Sequence, residues 1–97
     1  MPIPKKKLKE ARQPLEGRIL RFLGRNPEMA YALFEIVRAV EEYRDAQFTV
    51  MVAGMEGEEV QEFFRPYREA LQRLLKESKI TSAIYHGNEH YAIEHPS

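Results

Sequence analysis

The chain contains no cysteine among its 97 residues. Disulfides, cysteine-ligated zinc and thiol chemistry are thereby excluded, and the composition is compatible with a reducing compartment. No apolar run approaches the roughly 18 residues that a membrane-spanning helix needs. The start, Met1-Pro2-Ile3-Pro4-Lys5-Lys6-Lys7, has the positive charge of a signal peptide without the apolar stretch that must follow it. A cytoplasmic protein is expected. A Gly-rich phosphate loop and a serine nucleophile elbow are also missing, which makes an enzyme the least expected class. There is no internal repeat and no low-complexity tract beyond the lysine cluster. With 43% hydrophobic residues, the length suffices for one core and no second domain.

Net charge is lacking too: fifteen Lys/Arg balance fifteen Asp/Glu. The balance hides an asymmetry. Residues 1–25 carry eight Lys/Arg against two Glu, residues 26–62 two against nine, and residues 63–97 five against four, so the segments hold +6, −7 and +1. Local potential rather than the total steers association, and the basic ends suit an anion while the acidic middle faces solvent or a partner.

What is present organises into short amphipathic pieces. Residues 1–13 hold two prolines, four lysines and few apolar side chains, and read as a flexible basic arm, with Lys5, Lys6, Lys7, Lys9 and Arg12 its cations. A single domain follows over 14–95. Leu15, Ile19, Leu20 and Leu23 recur at helical spacing, with Pro14 suited to a first turn and Gly24 to a stop, so a first helix is predicted over 14–24. Asn26-Pro27 breaks the chain, and Met29 to Ala32 reads as a short extended segment. The stripe Leu33, Ile36, Val37, Val40 then predicts a second helix from Leu33 to Tyr43, with Glu35, Glu41 and Glu42 on a solvated acidic face.

Gln47 to Gly54 alternates Phe48, Val50 and Val52 with Thr49, Met51 and Ala53, and its β-branched content favours a strand over a buried helical turn. Such a strand either completes the core or, as an unpaired edge, forms a homodimer contact through Phe48 to Met55. Glu58 to Phe64 is helical in spacing, and Pro66 predicts a break followed by a new helix over 66–77 with the proline in its first turn. That helix buries Tyr67, Leu71, Leu74 and Leu75; its other face carries Arg65, Glu69, Gln72, Arg73 and Lys76, with Arg68 at the border. After Lys79 the period becomes two, a Gly87-Asn88 turn within His86 to Glu89 reverses the chain, and His90 to Glu94 returns as the second strand of a hairpin. The fold class is therefore mainly α with a small antiparallel β-hairpin.

This order of elements resembles the winged helix-turn-helix domain of PadR-like and MarR-like transcriptional regulators. Ile19-Leu20-Arg21-Phe22-Leu23 looks like the family's first helix, and Ala30-Tyr31-Ala32-Leu33-Phe34-Glu35-Ile36-Val37 like its small strand running into the second. Pro66 to Ile80 is similar to the recognition helix and its exit, and Thr81 to Ile93 to the wing. The chain departs from the family where roughly twenty residues, Arg44 to Phe64, replace a short inter-helix turn, and where the wing tip His86-Gly87-Asn88-Glu89-His90 lacks Arg and Lys.

The resemblance implies a DNA-binding transcriptional regulator. Arg65, Arg68, Gln72 and Arg73 would read duplex DNA in the major groove, Lys76 and the basic arm would meet phosphate, and His86 and Asn88 would sit on the wing. The competing reading is a winged helix used for protein contact within a larger complex. His86, His90 and His95 with Glu89 and Glu94 have no metal-specific spacing, and read as surface residues. Neither a metal nor a cofactor is expected.

Overall fold

The computed structural model describes Pro2 and residues 14–94. The predicted arm, with Lys5, Lys6, Lys7, Lys9 and Arg12, lies outside the described residues, as does His95.

Among the described residues, four helices and a three-stranded antiparallel sheet make a mainly helical α+β fold. Helix α1 spans Leu15–Arg25 and buries Ile19 and Leu23. It opens on Pro14, whose carbonyl accepts the Arg18 N–H, and runs through Gly24 to a cap at Asn26. Strand β1, Tyr31–Ala32, leads directly into α2, Leu33–Val40. The Glu35 carboxylate reaches back to accept the Ala32 N–H at 3.0 Å, satisfying one of the donors that a helix start leaves free. Glu35 is thus a cap as well as a surface charge.

Helix α2 stops before the predicted Tyr43. Glu42 takes a positive φ of 59°, and the end is closed by Tyr43 N–H to the Arg38 carbonyl and Glu42 N–H to that of Ala39. The same device ends the long helix, where Ser78 has φ 58° and the N–H groups of Lys79 and Ser78 bond the carbonyls of Leu74 and Leu75. Both left-handed positions are filled by residues other than glycine, at a cost of about 1 kcal/mol each.

Two expectations fail in the connection. The segment predicted as a strand is helix α3, Asp45–Ala53. Phe48 is buried, Met51 and Val52 are half-buried on the same side, and Val50 is 72% exposed, a distribution that fits a 100° rotation per residue and not alternation. Tertiary contacts overrode the β-branched composition: the Phe48 ring lies 4.5 Å from that of Phe34 and stacks on Tyr43 at 5.5 Å. There is accordingly no free strand edge here to pair with a second copy.

The predicted break at Pro66 is also absent, because α4 runs unbroken over Gly57–Lys76 with Pro66 inside it. Val60, Phe63, Phe64, Tyr67, Ala70, Leu71 and Leu74 form one stripe that crosses the proline, and Pro66 itself is exposed. Packing of both halves against one core offsets the lost N–H.

Strands β2, Ile80–Tyr85, and β3, Asn88–Ile93, pair from Ile80 opposite Ile93 to Tyr85 opposite Asn88. The turn lies one residue earlier than predicted: His86 and Gly87 hold the positive φ values, 51° and 81°, and Asn88 begins the returning strand. Strand β1 adds to the far side of β3, Tyr31 opposite Tyr91, giving the order β1-β3-β2. One core cluster joins Ile19, Leu23, Ile36, Leu71, Leu74 and Tyr91; a second joins Val37, Phe48 and Phe64. Among the described residues, no helix is long and apolar enough to cross a membrane.

Candidate nucleic-acid interface

The outer face of α4 follows from its inner one. Since Phe64, Leu71 and Leu74 point to the core, Arg65, Arg68, Glu69, Gln72, Arg73 and Lys76 are left exposed, spread over an arc of about 140°. Arg65, Arg68 and Gln72 stand at i, i+3 and i+7 and form one stripe along the helix.

Arg68 and Gln72 also line a cleft of about 570 Å³ between α4 and the start of β3, and Asn88 joins them from the sheet. Phe34 of α2, Val52 of α3 and Val60 from the first half of α4 supply apolar walls. The polar end is completed by Glu89, which accepts the Ser82 hydroxyl at 2.9 Å, and by Tyr91. Burial pushes the Tyr91 phenol up to about 12, the Glu89 carboxylate adds to the rise, and the positive charge of Arg68 opposes it. One cation and one anion therefore share the mouth of the cleft.

Each arginine on this face has a neighbour. Arg65 pairs with Glu62 one turn back, Arg68 donates to the Gln61 side chain, and Arg73 pairs with Glu16 of α1. The last contact holds the Glu16 carboxyl below its ordinary range, chiefly by the hydrogen bond from Arg73. It also ties the C-terminal half of α4 to α1. All three guanidinium groups are exposed, and exposed pairs of this kind contribute only about 0–1 kcal/mol, so an incoming phosphate or base edge can replace the partner at small cost. Lys76 makes no ion pair among the described residues.

The predicted residues thus divide. Arg68, Gln72 and Asn88 share the cleft, and Arg65 continues their stripe along α4; Arg73 is turned to Glu16 of α1; Lys76 is exposed near the end of the helix; His86 occupies the hairpin tip, outside the cleft. The His86 ring meets Tyr85 edge-on at 4.2 Å, and His90 donates through Nδ1 to the Asn88 carbonyl at 2.9 Å. No group of three or more His, Asp or Glu side chains able to hold a metal exists among the described residues.

Sequence reasoning missed several neighbours. Glu41, assigned to a solvated face, is half-buried: Arg18 donates to it at 3.2 Å and the Tyr67 hydroxyl at 2.7 Å. Burial, then this carboxylate, raises the Tyr67 pKa strongly. The cleft walls Phe34 and Val52 were also missed, since only tertiary packing brings them to the same cleft as Gln72. Residues 14–94 hold ten Lys/Arg against fourteen Asp/Glu, a net −4, while all the surplus positive charge belongs to residues 1–13. No protein-family model matches the chain, and no curated protein or solved structure matches it either.

Proposed function

We propose that this chain is a small winged-helix protein that binds duplex DNA, with α4 as its reading helix and the β2–β3 hairpin as its wing. The helix–strand–helix order leading to a long helix and a hairpin supports the reading, as does the placement of β3 between β1 and β2. The observation that carries it is the stripe Arg65, Arg68 and Gln72 on α4, of which Arg68 and Gln72 share a cleft with Asn88, the residue that follows the hairpin turn. Arginine matches the O6/N7 edge of guanine and glutamine the N6/N7 edge of adenine, so a stripe of these residues along one helix face suits a major groove. Lys76, Arg73 and the cations Lys5, Lys6, Lys7, Lys9 and Arg12 then supply phosphate contacts, and His86 meets the backbone from the wing tip. With a body of net −4, most of the sequence-independent affinity comes from the arm.

Fluorescence anisotropy of the full chain on labelled duplexes tests this. Binding should weaken steeply as salt rises from 50 to 200 mM, and Arg68→Ala with Gln72→Ala should reduce discrimination between duplexes by about 1–3 kcal/mol per lost base contact. Retention that is negligible at low salt sinks the proposal. It would instead favour contact with another protein, the reading to which the acidic body and the uncharged outer face of α3 point.

A further inference from the structure

Helix α3 is anomalous in a chain that is 31% charged: from Ala46 to Met55 no residue bears a charge. A helix apolar on all sides is normally enclosed, yet α3 is covered on one side only. Phe48, Met51 and Val52 face the second core cluster, and the opposite side, Ala46, Thr49, Val50 and Ala53, is exposed, with Val50 at 72%. The charges flanking this face are arranged by end. Arg44, exposed at the N-terminal cap, makes no ion pair among the described residues; neither do Glu56, Glu58 and Glu59, exposed just past the C-terminal end. Asp45 is already engaged by Arg38 at 2.8 Å.

We propose that two copies of this chain associate through the outer face of α3, the helices antiparallel about a two-fold axis beside Val50, with Arg44 of each copy opposite Glu56, Glu58 and Glu59 of the other. The face is self-complementary in this orientation, as a two-fold contact requires. Nine residues span about 13 Å. A register centred between Thr49 and Val50 sets Ala46 against the partner's Ala53, where small side chains allow close approach, and brings Arg44 level with residues 55 and 56. There it meets three carboxylates and the negative end of the partner's α3. The same carboxylates repel phosphate, so a nucleic acid does not fit this surface. The contact is distinct from the α4 stripe and does not depend on the DNA reading.

One helix face covers less than the ~800 Å² per partner of a standard interface, so the dimer is concentration-dependent. Sedimentation equilibrium of the full chain should give a mass that rises from one copy toward two. Val50→Asp should raise the dissociation constant about tenfold or more. Arg44→Glu should weaken the dimer, and adding Glu56→Lys and Glu58→Lys to the same chain should restore it. Because the chain has no cysteine, Val50→Cys gives a single thiol beside the axis; mild oxidation should link two such chains much faster than Thr81→Cys chains, altered on the exposed sheet face. This readout does not require Val50→Asp to fold. A wild-type mass of one copy up to the solubility limit overturns the proposal, as do a dimer unmoved by Val50→Asp and oxidative linkage no faster at position 50 than at 81. None of these outcomes bears on whether α4 binds duplex.

Discussion

Replacing Phe48 and Val50 by alanine separates the helical account of α3 from any strand-like one. Phe48 is fully buried, with the rings of Phe34, Tyr43, Phe63 and Phe64 around it at 4.5 to 6.4 Å. Truncation removes the aromatic side chain from a site walled by other aromatics that collapse poorly, and such changes cost about 3–5 kcal/mol. A domain of this length has roughly 5–15 kcal/mol in total, so Phe48→Ala should lose a large share of its stability. Val50, two residues on, is mostly in solvent, and Val50→Ala should stay within about 0.5 kcal/mol in dilute solution. Urea unfolding followed by circular dichroism measures both; with a slope of roughly 1–2 kcal/mol/M, the Phe48→Ala midpoint should fall by at least about 1.5 M. In a strand the two side chains share a face, and Val50→Ala would then cost more than about 1 kcal/mol. Losses of similar size at both positions refute the helical packing.

The left-handed end of α4 predicts a gain: Ser78→Gly should stabilise by about 0.5–1 kcal/mol in the same assay, and a loss would contradict the backbone conformation. At the hairpin, Gly87→Ala should cost about 1 kcal/mol because φ is +81°, whereas His86→Asn, which suits a positive φ, should be neutral or slightly stabilising by thermal melting. The raised pKa values of Tyr67 and Tyr91 mean that folding favours the protonated phenols. Their contribution is therefore complete below the unfolded value near 10 and is lost as pH rises from there toward the folded values. The urea midpoint should fall between about pH 10 and 12, less steeply in Tyr67→Phe; a pH-independent midpoint would contradict the burial of both hydroxyls.

Much of the architecture is legible in the residues, but unevenly. Helix α1 announces itself through Pro14, a regular apolar stripe and the Asn26-Pro27 break, and the hairpin through the change of period after Lys79. The ends of α2 and α4 carry Glu42 and Ser78 where glycine would have signalled a stop, so their boundaries are hidden locally. Either His86-Gly87 or Gly87-Asn88 supplies a plausible turn, and only the pairing of Tyr85 with Asn88 chooses between them. Helix α3 misleads because valine and threonine suit strands, while its helical form is imposed by Phe48 and the aromatic residues around it. At Pro66 the local rule predicts a break, yet the stripe from Val60 to Leu74 keeps its phase across it.

The candidate interface divides in the same way. The outward stripe on α4 follows from rotation alone. Its partner Glu16, 57 residues from Arg73, and its walls Phe34 and Val52 come from packing between elements that no local pattern encodes.

The most direct test of the central claim is a titration of isotopically labelled full-length chain with a short duplex, monitored by amide chemical shifts. Binding through α4 should move resonances from Arg65 to Lys76 and at the hairpin, from His86 to His90, and leave Asp45 to Glu59 unchanged. Shifts confined to the α3 segment, or none at a salt concentration low enough for phosphate contacts to form, would contradict it.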